Sequence, residues 1–433
     1  MKLLTQIKYP GINKDFSHKK KIYNNFTNKE INQYQIENFN KVWNYCYSKI
    51  NFYSDLKKKF NLKDEIKNLE ELDNFPRISK KDIIENFDQI QKDVKAKNFA
   101  FTGGTSGFVT KFPSGYINSK INYINTLLCR SWHNIHENDK MIYIWGHSHK
   151  FESNIFKKNL NTAKIFLKDI YQKRKRFSAY DLNEDILKQI QKQIFSRKFN
   201  TLLSYGSTLS IISNYINLNN MIYDNQINII YTSDNILNND LDNIKRVFPR
   251  GKIISEYGMA ETGIIGYSLT NHQEIKILWS DFIIRKFNDE ILITDITLKK
   301  FPLISYSPDD FLKIDNYDRN FPVLKIRDIK GKERPFFEFK SNSKIYKKSL
   351  VILDHIFKKI DNIISVQFYI KENQLFIFCY PNTCNEEFIK KMIDEHFEDK
   401  IINILVKFIK KPIKTISGKF KYILDEKDFS NLC

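Results

Sequence analysis

Glycine is scarce in this 433-residue chain, 13 in all, so its gatherings beside hydroxyls and charges are informative. The first is Phe101-Thr-Gly-Gly-Thr-Ser-Gly107, followed closely by Thr110. A loop of this composition can turn several backbone N–H groups, with the hydroxyls of Thr102, Thr105 and Ser106, towards a phosphate, and Gly103, Gly104 and Gly107 allow a close approach. It is neither the Lys-Ser/Thr-terminated nucleoside-triphosphate loop nor the dinucleotide fingerprint, and read alone it is equally a tight turn. The second gathering, Ser255-Glu-Tyr-Gly-Met-Ala-Glu-Thr-Gly263, follows a predicted strand at 252–256, and strand ends of parallel sheets are where ligands bind. Tyr257 and Gly258 offer a stacking face and close approach, and Glu261 a hard carboxylate suited to Mg²⁺. The competing reading is a strand-to-loop turn with a solvated glutamate.

Four further segments bear on the chemistry. In Pro302-Leu-Ile-Ser-Tyr-Ser-Pro-Asp-Asp-Phe311, the two oxygens of Asp310 can accept from the two hydroxyls of a ribose; the alternative is an Asp-rich turn. Lys414-Thr-Ile-Ser-Gly-Lys419 forms a loop between Pro412 and the chain end, where Lys419 on its own is one lysine among many. Trp145-Gly-His-Ser-His149 follows a predicted strand, so Trp145, His147 and His149 are candidates to line a substrate pocket, with surface histidines as the alternative. No Cys/His spacing supports zinc. Lys173-Arg-Lys-Arg176 reads as a solvated loop, with an anionic partner as the alternative.

These residues need a framework, and the composition allows one. Apolar residues make up 42% and aromatic residues 14%, too many for a disordered chain. No run of 18 apolar residues predicts a membrane span, and the N-terminus lacks the apolar core of a secretory signal. Five widely spaced cysteines suit a reducing cytoplasm rather than a disulfide scaffold. The net charge of +20 admits a nucleic-acid-binding protein. The accompanying excess of Lys, Asn, Ile, Phe and Tyr fits compositional bias plus a basic pocket for anionic substrates better, and no nucleic-acid partner is expected.

The pattern predicts a helix over 31–60 and a capping box at Ser79–Asp82. Helices follow at 118–136, 183–196, 207–217 and 238–247, with strands at 141–146, 163–167, 201–205, 227–231 and 252–256. This alternation predicts an α/β fold with parallel layers. Short strands are expected at 274–279, 281–287, 290–296 and 310–315, with a turn at Asn288-Asp289. From about 332 the order reads β-α-β-β-α-β, with helices at 348–360 and 385–399 and strands including 363–370, 374–380 and 404–410, enough for a separate α+β domain.

Taken in order, these pieces resemble the adenylate-forming superfamily of acyl-CoA synthetases, luciferases and peptide-synthetase adenylation domains. Thr102-Gly-Gly-Thr-Ser-Gly107 resembles its Thr-Ser-Gly-Thr-Thr-Gly phosphate loop, and Tyr257-Gly-Met-Ala-Glu261 its Tyr-Gly-x-Thr-Glu. Ile291 to Asp310 resembles its Thr-Asp-Leu…Pro-Leu-Ile-Arg-Tyr-Arg-Thr-Gly-Asp stretch, and Lys414–Lys419 its terminal Lys-Thr-x-Ser-Gly-Lys. The helix before Asn51-Phe-Tyr-Ser and the Thr294–Asp310 stretch are most similar to the phenylacetate–coenzyme A ligase branch, which includes ligase-like proteins of capsule and surface-polysaccharide loci, and Thr201–Leu209 and Tyr231–Leu237 are similar to its pocket-lining segments.

The resemblance implies an AMP-binding domain over 1–330 and a small mobile domain over 331–433 carrying the Lys419 loop, hinged near 330–335. It implies activation of a small carboxylic acid by ATP and Mg²⁺, then transfer to coenzyme A, a carrier-protein thiol or an amine. Thr102–Gly107 would hold phosphates, Glu261 Mg²⁺, Tyr257 adenine, Asp234 the adenine amino group and Asp310 ribose. Trp145, His147, His149, Tyr205 and Gly206 would line the acid pocket, and Lys419 would stabilise charge during adenylation. The chain departs from the pattern at Ala260 (usually Thr), at Ser305 and Ser307 (usually Arg), and at Lys332 in the hinge, and Lys111 is displaced from the phosphate loop. A catalytically inactive adenylate-binding relative is the alternative these departures keep open.

Overall fold

The computed structural model describes residues 3–96, 99–101, 111–113, 119–145, 155–179, 182, 184–233, 236, 238–269, 274–287, 290–308, 311–312, 321–327, 329–330, 336–341, 344–349, 365–371, 374–380, 386–394, 403–409, 423–424 and 426–430. The architecture is α/β, and the chain divides into two compact units, each built from separated segments. One comprises Met1–Ala100, Lys111–Glu137 and Ile253–Gly331, the other Phe101–Thr110, Asn138–Lys252 and Lys332–Cys433.

The first unit begins with helices that enclose the segment leading to Tyr306. Helix Asn28–Lys49 starts at a capping box, in which Thr27 Oγ1 accepts from the Glu30 N–H and the Glu30 carboxylate accepts from the Thr27 N–H. Ile31, Gln35, Phe39, Val42, Trp43 and Cys46 recur on its buried face. Phe39, Val42, Trp43 and Cys46 pack with Tyr53, Phe75, Phe301, Leu303, Ile304 and Tyr306 in one core cluster, and Ile31 packs with Ile22 and Trp279 in another. The Tyr53 hydroxyl donates to the Pro302 carbonyl at 2.5 Å, tying that core to the backbone just before the site. The helix expected over 31–60 is two: it stops at Lys49, Ile50 is extended (φ −129°, ψ 109°), and Asn51–Lys59 follows. The predicted capping box at Ser79–Asp82 opens a helix over Lys80–Glu85.

In the same unit, Lys19 Nζ donates to Asp281 Oδ1 at 2.5 Å, and Asn125 Nδ2 donates to Oδ2 at 2.6 Å. Burial pushes the Asp281 pKa up, but the Lys19 ammonium and the Asn125 and Ser280 hydrogen bonds outweigh it and hold the carboxyl below its ordinary value. Strand Gly263–Ser268 lies antiparallel between Gly251–Met259 and Glu274–Ile277, and Lys325–Arg327 adds antiparallel to the last. A second sheet contains Phe282–Phe287, Glu290–Asp295, Phe311–Leu312 and Ile329–Lys330.

In the second unit, Ile227–Thr232, Thr201–Tyr205, Met141–Trp145 and Arg174–Ser178 run parallel side by side, as the alternation requires. Helices Glu184–Phe195, Gly206–Leu218 and Asn238–Val247 agree with expectation. The strand expected at 163–167 is instead part of helix Ile155–Tyr171. Leu160, Ala163, Leu167 and Ile170 recur at three- and four-residue spacing, a helical period that a five-residue window conceals. The strand lies at Arg174–Ser178 and takes in most of the basic run Lys173–Arg176, expected as a solvated loop. In the C-terminal segment, Phe336–Ser341 pairs antiparallel with Lys344–Ser349. The predicted helix at 348–360 therefore begins within a strand; its remainder lies outside the described residues, as does the turn Asn288-Asp289. Ser365–Lys371 pairs antiparallel with Gln374–Tyr380, which pairs parallel with Asn403–Phe408, and helix Glu386–Asp394 lies between those last two in sequence. Among the described residues no helix is long and apolar enough to cross a membrane.

Candidate active site

Glu261 does not follow a strand as a loose loop; it sits at the tip of a β-hairpin. Strand Gly251–Met259 runs past Tyr257 and Gly258 and turns through Ala260-Glu261-Thr262 into Gly263–Ser268. Two glycines make this turn possible. Gly263 holds φ +77°, and a Cβ there would lie 2.5 Å from Asn122 Oδ1; a Cβ on Gly258 would lie 2.7 Å from the Gly263 carbonyl oxygen. Asn122 Oδ1 also accepts from the Ile264 N–H at 3.3 Å, fixing the hairpin to helix Ser119–Ser131. Tyr257 is half-buried. The preceding Glu256 takes the Tyr267 hydroxyl as donor; burial, then the Glu256 carboxylate, pushes the Tyr267 pKa well up, so that phenol stays protonated.

Glu261 is 2% exposed, and the fully buried Tyr306 donates its hydroxyl to Oε1 at 3.0 Å. Among the described residues none donates to Oε2. One hard oxygen is thus held, and among the described residues the other has no donor. No group of three or more His, Cys, Asp or Glu side chains that could hold a metal occurs among the described residues. Mg²⁺ is commonly bound by one or two carboxylates plus substrate phosphates rather than by an all-protein cage, so Glu261 fits that ion.

Two arginines that the sequence reading missed serve the flanking serines. Arg285 donates from Nη2 to Ser305 Oγ at 2.8 Å and from Nη1 to Asp73 at 2.8 Å. Arg77 donates from Nη2 to Ser307 Oγ at 3.2 Å and from Nε to Glu290 Oε2 at 2.5 Å, and Ser307 Oγ donates to the same Glu290 oxygen at 2.8 Å. Guanidinium groups from elsewhere in the chain therefore reach both serines that stand where the resemblance leads one to expect arginine. Serine hydroxyls in an otherwise apolar segment are the signal in the sequence that such partners must exist.

The second unit holds Trp145 and Tyr205 at the carboxyl ends of neighbouring parallel strands, their ring centroids 4.5 Å apart. Tyr143 stacks on Trp145 at 5.5 Å, and Arg174 and Arg176 lie 4.8 and 4.5 Å from the Tyr143 ring. Arg176 is fixed by a bidentate pair with the buried Asp169, at 2.6 and 2.8 Å. This is what the basic run does in place of a solvated loop. Gly206 is buried and begins helix Gly206–Leu218 directly after Tyr205. The remaining predicted site residues, Thr102, Gly103, Gly104, Thr105, Ser106, Gly107, His147, His149, Asp234, Asp310 and Lys419, lie outside the described residues. Burial pushes the thiols of the buried Cys46 and Cys129 well up, which disfavours the thiolate form.

No protein-family model matches the chain. Protein CapK of Staphylococcus aureus is 25% identical over 337 residues, 71% of this chain and 69% of CapK. Among solved structures, 2-hydroxyisobutyryl-CoA ligase in complex with 2-HIB-AMP and CoA in the thioesterification state matches with TM-score 0.55 and 12% identity, covering 94% of this chain and 92% of that one. The same ligase in the postadenylation state with 2-HIB-AMP gives TM-score 0.51 and 12% identity, covering 94% and 91%. The chain has the adenylate-forming ligase fold.

Proposed function

We propose that the chain is an adenylate-forming carboxylate ligase of the phenylacetate–coenzyme A ligase-like branch. A carboxylate oxygen attacks the α-phosphorus of ATP, the bond to the β-phosphate breaks, and pyrophosphate leaves. A thiol or amine then attacks the acyl carbon, loses its proton and releases AMP. We take coenzyme A as the leading acceptor, with a carrier-protein thiol or an amino compound as the others. The observation that carries this reading is Glu261: a buried carboxylate at a hairpin tip, one oxygen held by Tyr306 and the other without a donor among the described residues, in a chain with this fold.

The first step brings two anions together, so the protein's work is charge neutralisation and positioning. Glu261 would hold Mg²⁺, which when bound neutralises phosphate oxygens. Thr102–Gly107 would cradle the β- and γ-phosphates, Tyr257 would stack on adenine with Asp234 at its amino group, and Lys419 would meet the charge that develops at the α-phosphate. We assign the AMP-binding domain to 1–330 and a small mobile domain with the Lys419 loop to 331–433. The Trp145–Tyr205 pair, with Gly206, His147 and His149, would line the acid pocket. The branch that the motifs resemble most includes ligase-like proteins of capsule and surface-polysaccharide loci, and we assign the chain a place in that biosynthesis on this resemblance. ATP and coenzyme A are supplied in the cytoplasm, the compartment we assign.

Asp310 is assigned to the ribose, where its carboxylate accepts two charge-assisted hydrogen bonds. Asp310→Ala should weaken ATP binding by about 1.5–3 kcal/mol. Calorimetry with ATP reads this directly, and unchanged affinity would remove Asp310 from the nucleotide site.

A further inference from the structure

We infer that Tyr306 is a positioning residue for the Glu261 carboxylate, selecting the oxygen left to a divalent cation. The inference rests on the reading of Glu261 just proposed and adds a residue to it. Glu261 lies at a hairpin tip, and its carboxyl turns about a terminal torsion with broad, roughly two-fold preferences. Among the described residues the Tyr306 hydroxyl is the donor that stops that rotation, at 3.0 Å from Oε1.

The hydroxyl itself has little freedom. Tyr306 exchanges two backbone hydrogen bonds with Ile293, at 2.8 and 2.9 Å. On the opposite edge, Ile78 donates to the Ser305 carbonyl at 3.0 Å and accepts from the Ser307 N–H at 2.8 Å. The three residues 305–307 are thus clamped between strand Glu290–Asp295 and the extended segment at Ile78. Arg285 and Arg77 fix the serine hydroxyls on either side. The Tyr306 ring packs in the core with Phe112 edge-on, centroids 6.2 Å apart at 88°. A rigid donor aimed at one oxygen of a buried carboxylate is the arrangement by which outer partners orient metal ligands, and removing such a partner typically costs about 10–100-fold in metal affinity.

Tyr306→Phe removes the hydroxyl and keeps the ring. The test uses the full chain with Mn²⁺ as the probe and a non-hydrolysable ATP analogue, α,β-methylene ATP. Bound Mn²⁺ is read by electron paramagnetic resonance, and thermal melting is recorded without ligand. Tyr306→Phe should weaken Mn²⁺ binding roughly 10-fold or more while the melting temperature stays close to wild type. Phe112→Leu disturbs the same packing without touching the hydroxyl and should retain wild-type Mn²⁺ affinity. Glu261→Gln should weaken binding at least as much as Tyr306→Phe. If Glu261→Gln weakens Mn²⁺ binding and Tyr306→Phe does not, the role of Tyr306 is overturned and the proposed function stands. Equal losses in Tyr306→Phe and Phe112→Leu would also overturn it, reducing the hydroxyl to a packing element. If Glu261→Gln binds Mn²⁺ as wild type does, the reading of Glu261 fails and this inference fails with it.

Discussion

Lys419→Ala should slow acid-dependent pyrophosphate release on the order of 10²–10³-fold while leaving ATP affinity largely intact. The ammonium is assigned to charge that appears as the carboxylate attacks phosphorus. An interaction made mainly in the transition state lowers kcat and kcat/KM together when it is deleted. The second step, started from synthetic acyl-adenylate, should survive, because no pentavalent phosphorus forms in it and the small domain is proposed to have turned Lys419 away. The measurement is pyrophosphate release with ATP and acid, followed by acyl transfer from supplied adenylate. Pyrophosphate release at the wild-type rate would make Lys419 an ordinary surface lysine.

Glu261→Gln should lower adenylation on the order of 10²-fold, since it removes the negative charge proposed to hold the cation that offsets the triphosphate. Glutamine keeps the side-chain shape and can still accept from the Tyr306 hydroxyl, so the hairpin made by Gly258 and Gly263 should remain folded. Raising Mg²⁺ should recover part of the rate, because the loss is one of cation affinity. Pyrophosphate release titrated against Mg²⁺ reads both features. A variant with unchanged rate at low Mg²⁺ would leave Glu261 as a buried turn residue bound to Tyr306.

What the sequence made legible was local. The alternating apolar segments of the parallel strands, the capping box at Ser79 and the helices between strands follow from side-chain periodicity and end chemistry, and the structure has them. What it hid depended on partners far along the chain. The basic strand Arg174–Ser178 has no apolar alternation, because Arg174 and Arg176 spend their side chains on the Tyr143 ring. The run at 163–167 is apolar enough for a strand, and only the longer helical period around it decides otherwise. The motif marks Glu261 but not its hairpin: no strand is expected over Gly263–Ser268, where the structure has one. A Cβ on Gly266 would lie 2.2 Å from the Lys276 carbonyl, so that glycine marks close strand packing. Arg77, Arg285 and the hydroxyl role of Tyr306 depend on contacts spanning 230, 20 and 45 residues, which no local pattern announces.

The central claim is that this chain makes acyl-adenylates. Its most direct test is release of pyrophosphate from ATP by the full wild-type chain with Mg²⁺, screened against a panel of small carboxylic acids, then followed for AMP and thioester after coenzyme A is added. The account predicts that at least one acid elicits pyrophosphate release above the no-acid background, with AMP formed in step with it. A chain that binds ATP but releases no pyrophosphate with any acid would contradict the claim and leave an adenylate-binding protein without ligase activity.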